Sequence, residues 1–541
     1  MDGTRVAGIQ TLWLDSDPIV PGQDQVGVRA NLVRMYSYLV PGITNVTDRI
    51  RYFAIHPFIV HMWAKGKATT DKAAFQHLVR RVECILAISE RIRVRGTDEV
   101  SAGVVGRIRI DRWLRDKPDR LPDDLRVPLG ELEREYFRNS WGGFGQYYRG
   151  PEQDLQIIGW QEDLPRLRKP LGPQLVNAIE SAVERSRLSQ LLSEDRPRVA
   201  QFRRIGEVLG FNTQESEERR ILRDVLLDIS GRYKEPGLSR RRSLLLLLAA
   251  SQQSTQGIKD PAWEVMEAAL HGRIPLRKAF SCPAGLNSQL RLWRVYTLNE
   301  FLAFALEIVL AVSVEKVGEA EVTTRQLNSV AGLGERVSSQ LPRTFSQKLF
   351  GDLVTECSTT IRRPALDPVA DKFEEGVLRR AAAGAMAQGR HGDALRESLK
   401  LIARLAARID GTPELRVLFN EVGLRMDEAR IGLDGLLRFV KNNRSSKIKH
   451  FAIEIVKLVV NTHLRIATAK LAHNNDYTFK LVFEGGILRK VREVEPTFSH
   501  PRLQQGAQML ADVGLLTYES GVFHITQDGI GMLRDNGCLH G

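Results

Sequence analysis

The densest run of basic residues in the chain follows residue 440 and has the composition of a phosphate-binding loop. Its basic side chains are Lys441, Arg444, Lys447, Lys449 and His450. Asparagine and serine residues separate these cations, and a helical pattern begins at Ile448. Cationic groups on a polar loop that leads into a helix can contact the backbone phosphates of nucleic acid. A solvated charged surface is the alternative interpretation, and the run itself does not choose between the two.

A second group of candidate residues combines arginine with tyrosine. Arg49 and Arg51 lie close to Tyr36, Tyr38 and Tyr52, as on a surface that binds phosphates and stacks on bases. Apolar residues at helical spacing favour another interpretation, in which the aromatic rings complete a hydrophobic core. In that case the two arginines pair with buried carboxylates or with phosphates.

The last part of the chain has the pattern of a winged helix. We predict helices over 487–494 and 502–512, a hairpin over 514–525 and a final helix over 527–534. In a DNA-bound module of this kind the groove-facing residues would be Arg502, Gln504, Gln505 and Gln508. The phosphate contacts would be Arg489, Lys490 and Arg492. The predicted wing is short and contains Glu519, so docking to a protein is the alternative.

Two acidic residues lie inside a strongly apolar helical pattern. Glu300 and Glu307 share a helix face with Trp293. Because a bare buried carboxylate is costly, we expect Arg291 or Arg294 to pair with them. A general base is disfavoured, since no further acid, histidine or nucleophile accompanies this pair in the sequence.

Motifs of known enzyme classes are absent from the chain. It has no phosphate-binding P-loop, dinucleotide fingerprint, H-E-x-x-H pair or G-x-S-x-G elbow. We therefore predict no catalytic residue, no metal and no cofactor, and we expect that the chain is not itself an enzyme. Asp15 and Asp17 would bind Mg²⁺ only with oxygen ligands from elsewhere in the fold. His56, His61 and His463 lie in apolar helical patterns and are expected to be satisfied core residues.

Composition restricts the class of protein and its partners. The 541 residues are 43% hydrophobic and 26% charged, which are ordinary values for a globular, multidomain chain. The formal net charge of +13 favours an acidic partner such as DNA or RNA. The four cysteines are far apart, which excludes a zinc ribbon and suits a reducing cytoplasm. No signal peptide is evident over 1–14 and no apolar run spans a bilayer, so we expect a cytoplasmic protein without a membrane partner.

The periodicity of the chain indicates a mainly α, multidomain helical protein with a C-terminal winged-helix-like module. We predict an irregular lead-in over 1–28, an N-terminal helical domain over 29–185 and a central helical domain over 186–440. The remaining 441–541 would hold the basic helix and the winged-helix-like module. The stretches 154–182 and 512–533 share the order helix end, strand, turn and helix, which suggests a duplicated unit. The alternative is a chance match of common residues.

Two sequence blocks resemble uncharacterised helical proteins of bacterial mobile and defence loci. The first is Pro-Gly-Ile-Thr-Asn-Val-Thr-Asp-Arg-Ile-Arg-Tyr-Phe over 41–53, and the second is Trp-Arg-Val-Tyr-Thr-Leu-Asn-Glu-Phe over 293–301. The blocks cover under a tenth of the chain. The resemblance implies a role in defence against phages or plasmids and supplies no catalytic residue.

These observations favour a nucleic-acid-binding or scaffolding component of a bacterial defence system that acts with partner proteins of the same operon. A metal-dependent nuclease, whose carboxylates meet only in the folded chain, is one alternative. A regulator or sensor of a toxic effector is another. The sequence leaves the oligomeric state and the identity of the partners undetermined.

Overall fold

The computed structural model of the chain is mainly helical, as predicted. It describes residues 24–44, 46, 48–66, 71–97, 103–137, 139–211, 216–274, 278–323, 326–361, 372–412, 432–474, 476–499 and 501–539. Most of the predicted lead-in, with Asp15 and Asp17, lies outside these described residues.

Helices account for most of the described residues. In chain order they are α1 (Arg29–Leu39), α2 (Tyr52–Lys65), α3 (Lys72–Arg93), α4 (Arg107–Leu114), α5 (Leu129–Tyr136), α6 (Arg149–Asp154), α7 (Leu171–Ser186), α8 (Leu188–Leu191), α9 (Val199–Leu209), α10 (Glu217–Leu227), α11 (Lys234–Gln253), α12 (Pro261–His271), α13 (Asn287–Val322), α14 (Val330–Ser338), α15 (Arg343–Ser346), α16 (Phe350–Ile361), α17 (Glu375–Ala387), α18 (His391–Asp410), α19 (Leu433–Asn443), α20 (Ile448–Asn474), α21 (Leu503–Asp512) and α22 (Gln527–Asp535). Several start at the caps that polar side chains provide. Asp71 caps α3, Ser216 caps α10 and Asp260 caps α12 by accepting a hydrogen bond from a first-turn backbone N–H.

Strands are short and pair in sequence order. The described strands are β1 (Ile158–Gln161), β2 (Leu164–Leu167), β3 (Arg273–Ile274), β4 (Lys278–Ala279), β5 (Leu481–Glu484), β6 (Ile487–Lys490), β7 (Leu516–Glu519) and β8 (Val522–Ile525). Each pairs antiparallel with its neighbour, so the described residues contain four separate hairpins.

The chain forms two compact units, and each is discontinuous in sequence. Unit 1 comprises Met1–Met35 and Arg294–Ser499, and unit 2 comprises Tyr36–Trp293 and His500–Gly541. The domain boundaries predicted from the sequence divide the chain into continuous stretches instead. These boundaries stay a prediction.

Unit 1 is built around the larger part of α13. Every residue of this helix from 301 to 314 is buried, as expected for a helix that is apolar on all sides.

The prediction that Arg291 or Arg294 pairs with the two acids of α13, Glu300 and Glu307, was wrong. Arg29 of α1 lies between them, with its Nε 2.6 Å from Glu307 Oε1 and its Nη1 3.5 Å from Glu300 Oε1. Because Arg29 lies far from α13 in the chain, the sequence pattern did not indicate it as the partner.

Backbone hydrogen bonds within unit 2 show the same local fold in the two stretches whose similarity suggested a duplicated unit, and the duplication itself stays a prediction. Residues 149–186 and 503–535 both fold as helix, hairpin and helix, with equal strand lengths and two-residue turns. In the first copy Ile157 N–H donates to the Glu152 carbonyl, and in the second Leu515 N–H donates to the Leu510 carbonyl. The residue before each of these donors, Gln156 and Gly514, has a positive φ.

The predicted helix over 487–494 is wrong, because β6 occupies its first half. β6 pairs with β5 in unit 1, and Gly485 and Gly486 close the hairpin with φ values of 57° and 78°. A two-residue turn with both φ values positive matches the twist of paired strands, and glycine adopts it without strain. The Gly-Gly pair was the signal for this hairpin. Without that helix, the predicted winged-helix module loses its first element.

Candidate nucleic-acid interface

The basic run after residue 440 lies on a loop that a second segment of unit 1 holds in place. The loop joins α19 to α20 and pairs with the turn between α15 and α16. Ile448 N–H donates to the Lys348 carbonyl at 2.8 Å, and Phe350 N–H donates to the Ser446 carbonyl at 2.9 Å. Gly351 N–H donates to the Arg444 carbonyl at 2.8 Å. The loop backbone is therefore fixed, and its side chains extend from a rigid support.

This pairing brings cations from two distant parts of the sequence together. We define the basic surface as six exposed residues: Arg343, Lys348, Lys441, Arg444, Lys447 and His450. The sequence predicted the last four but not Arg343 and Lys348. These two residues precede the basic run by about a hundred positions, so only the fold reveals that they belong to it.

Two helices start beneath the basic surface. The rings of Phe350 in α16 and Phe451 in α20 stack with their centroids 3.5 Å apart and nearly parallel. Their stacking places the first turns of both helices side by side. Helix N-termini have partial positive charge, so both helix dipoles add to the attraction for anions.

The cations of the basic surface outnumber the acids near them, which include the exposed Asp352 in the first turn of α16. The carboxylate of Asp410 lies 4.0 Å from Arg444, at the limit of an ion pair. Lys447 Nζ donates to the neutral amide oxygen of Gln347 at 2.9 Å. Lys449, also predicted as a phosphate contact, pairs with Glu335 at 3.1 Å and lies at the edge of the surface. The surface therefore keeps an excess of exposed positive charge.

Arg489 and Lys490 lie in unit 1, on β6. Lys490 Nζ is 2.8 Å from Glu315 and Arg489 Nη1 is 3.8 Å from Glu321, both on α13. Both predicted phosphate contacts are therefore paired with acids of α13, and they lie on a strand rather than on the predicted helix.

Arg49 and Arg51 are buried in unit 2 and bind carboxylates. The side chain of Arg49 is 2% exposed and contacts both oxygens of Asp512, at 2.9 and 3.1 Å. Arg51 binds both oxygens of Glu218 at 2.9 Å. Burial raises the pKa of Asp512 to about 6, and the charge of Arg49 opposes this rise. Of the two partners left open by the sequence, carboxylates rather than phosphates are the ones observed.

The predicted groove-reading helix, α21, has no exposed residue among its ten positions. The guanidinium of Arg502 lies 4.2 Å from the centre of the Tyr36 ring and donates to the Ile43 carbonyl. The Gln505 side chain hydrogen-bonds with Asp48. Arg502 and Gln505, which were predicted as DNA contacts, therefore have partners within unit 2.

A buried cluster around His56 was not predicted as a cluster. His56 Nδ1 is 2.6 Å from Glu152 and its Nε2 is 3.2 Å from Glu83, and all three side chains are at most 1% exposed. Burial lowers the pKa of His56, but the two carboxylates outweigh this effect and raise it to about 9. Glu83 also accepts the backbone N–H groups of Gly143 and Phe144, at 2.8 and 2.7 Å. The expectation of a satisfied core histidine is confirmed for His56, and Glu83 of this cluster also holds the backbone at Gly143 and Phe144.

Comparisons with protein-family models, with curated proteins and with solved structures found no match to this chain. Among the described helices, none combines the length and the apolar character that crossing a lipid bilayer requires.

Proposed function

We propose that this protein binds nucleic acid through the basic surface of unit 1, as a non-catalytic component of a bacterial defence system. The observation that carries the proposal is the rigid pairing of two segments, which concentrates six exposed basic side chains over two helix N-termini. Phosphate contacts of this kind bind the backbone without reading its sequence. The role in defence rests on the resemblance of the 41–53 and 293–301 blocks alone.

The positions of the other predicted contacts argue against a binding mode in which α21 reads a groove. Arg49, Arg51, Arg502 and Gln505 all have partners inside unit 2, and α21 has no exposed residue. A winged helix that reads a groove with α21 is therefore not part of the proposal. The helix-hairpin-helix copies are proposed to be packing or docking modules.

The test is the affinity of the full chain for short labelled DNA and RNA at low salt. The double variant K441E/K447E reverses two exposed cations of the basic surface. The matched control R185E/R204E makes the same change of net charge at exposed residues of α7 and α9 in unit 2. We expect the first variant to weaken binding roughly tenfold or more, and the control to change it less than about threefold.

Equal losses in the two variants would show that net charge alone attracts the nucleic acid. No binding by the unmodified chain at low salt would contradict the proposal and leave a protein scaffold as the better account. Isolation of the chain with its neighbours from its native operon would then identify the partners.

A further inference from the structure

Unit 2 contains a cavity of about 500 Å³ that the sequence did not indicate. Its wall consists of residues from α3, from most of the length of α5 and from the loop at 195–196. The volume is in the range of small-molecule sites, which is roughly 300–1,000 Å³.

The wall holds four arginines, and two of them are already neutralised. Arg81 Nη1 is 2.7 Å from Glu133, and Arg196 Nη2 is 3.2 Å from Glu131. His77 lies 3.0 Å from the other oxygen of Glu133. These pairs account for two of the three acids in the wall.

Arg80 and Arg134 have a different environment. Neither forms an ion pair or a hydrogen bond with any residue in the part of the chain that the structure describes. The third acid, Asp195, has Oδ1 3.4 Å from the position that a Cβ of Gly130 would take. It therefore lies at the first turn of α5, where the helix dipole stabilises a negative charge.

The cavity wall also contains unsatisfied donors. The Nε–H groups of Arg80 and Arg81 are shielded from solvent and have no acceptor among the described residues. Arg81 itself is 5% exposed. A buried donor without an acceptor is costly, and an anion in the cavity would supply one.

We propose that this cavity binds a small molecule through its phosphate group, with Arg80 and Arg134 as the residues that hold the phosphate. A phosphate monoester carries roughly −1.5 to −2 charges at neutral pH, which matches two unpaired guanidinium groups better than a single carboxylate does. The planar guanidinium also fits the geometry of phosphate oxygens. The site lies in unit 2 and is independent of the nucleic-acid proposal.

Calorimetric titration of the full chain with inorganic phosphate, pyrophosphate, AMP and citrate tests the proposal. We expect the phosphate compounds to bind and citrate to bind more weakly. Tighter binding of AMP than of inorganic phosphate would identify an organic phosphate as the ligand class, and the reverse would identify the free ion. R134Q and R80Q should each weaken binding roughly tenfold to a hundredfold.

R185Q, at an exposed arginine of α7 outside the cavity, is the control and should bind as the unmodified chain does. Thermal melting checks that each variant is folded, and the exposed position of Arg134 makes R134Q the safer of the two. The proposal is overturned by absence of phosphate binding up to about 10 mM, by preference for citrate, or by undiminished binding in both variants. Both variants should keep the DNA affinity of the unmodified chain, which separates this test from that of the basic surface.

Discussion

At the scale of single residues, most of the informative arginines are structural. Arg49 and Arg51 have the charge that a phosphate contact requires, but carboxylates bind both guanidinium groups in the interior of unit 2. The sequence shows that these arginines lie in an apolar stretch. It does not show their partners, because Asp512 and Glu218 are far away in the chain.

The pair of Arg49 with Asp512 provides a stability prediction. Asp512→Ala leaves a buried guanidinium without a counter-charge, so we expect a loss of about 3–5 kcal/mol in the free energy of unfolding of unit 2. Urea denaturation, followed by tryptophan fluorescence, measures it. The control is Glu180→Ala, which removes an exposed pair with Lys65 and should cost less than about 1 kcal/mol. Similar costs in the two variants would contradict the structural role of Arg49.

The His56 cluster predicts a specific dependence of stability on pH. The pKa of His56 is raised from 6.5 to about 9, so the folded state holds a proton that the unfolded state releases. Stability from this proton is complete below pH 6.5 and is lost as the pH rises through about 9. The loss should be on the order of 3 kcal/mol.

Denaturation midpoints measured across this pH window test the assignment. His56→Gln should lower the stability of unit 2 near neutral pH and flatten its decline toward alkaline pH. An unchanged alkaline decline in His56→Gln would show that another group causes it.

At the scale of secondary-structure elements, the helix-hairpin-helix copies show what a local pattern can reveal. The order of elements over 503–535 was predicted correctly, and the similarity of this stretch to 149–186 extends to individual backbone hydrogen bonds. Apolar periodicity and turn residues are sufficient to predict this order of elements. The burial of α21 could not be predicted, because the helices that pack against it, α11 and α12, lie far away in sequence.

The burial of α21 yields a prediction that separates packing from recognition. Gln504→Ala and Gln505→Ala should leave the affinity for DNA within about twofold of the unmodified chain. Leu510→Ala, at a fully buried position of the same helix, should lower the free energy of unfolding by about 2–5 kcal/mol. Binding assays and denaturation of the same preparations check both parts. A large loss of affinity in the glutamine variants with an intact fold would restore α21 as a reader of nucleic acid.

The basic surface shows the limit of sequence reasoning at this scale. A loop over 441–450 with phosphate-binding character was predictable from composition, since its cations are neighbours in sequence. The contribution of Arg343 and Lys348 depends on three backbone hydrogen bonds between distant segments. β6 was mistaken for a helix although Gly485 and Gly486 indicated a hairpin.

At the scale of the whole molecule, the net charge of +13 is a poor guide to where an anion binds. Many of the cations are consumed in ion pairs, some of them fully buried, as with Arg404 and Glu375 in unit 1. What distinguishes the basic surface is exposed charge with little compensation on a fixed backbone. The position of the exposed cations, rather than the total charge of the chain, therefore determines where nucleic acid is expected to bind.

The most direct test of this claim is the salt dependence of nucleic-acid binding by the full chain. Fluorescence anisotropy of a short labelled oligonucleotide gives the dissociation constant at a series of salt concentrations. Each phosphate contact contributes roughly 0.7–0.9 to the slope of log affinity against log salt. We predict that K441E/K447E lowers the magnitude of this slope by roughly 1.4–1.8, while R185E/R204E leaves it unchanged. Equal slopes in all three proteins would contradict the assignment of the interface to the basic surface.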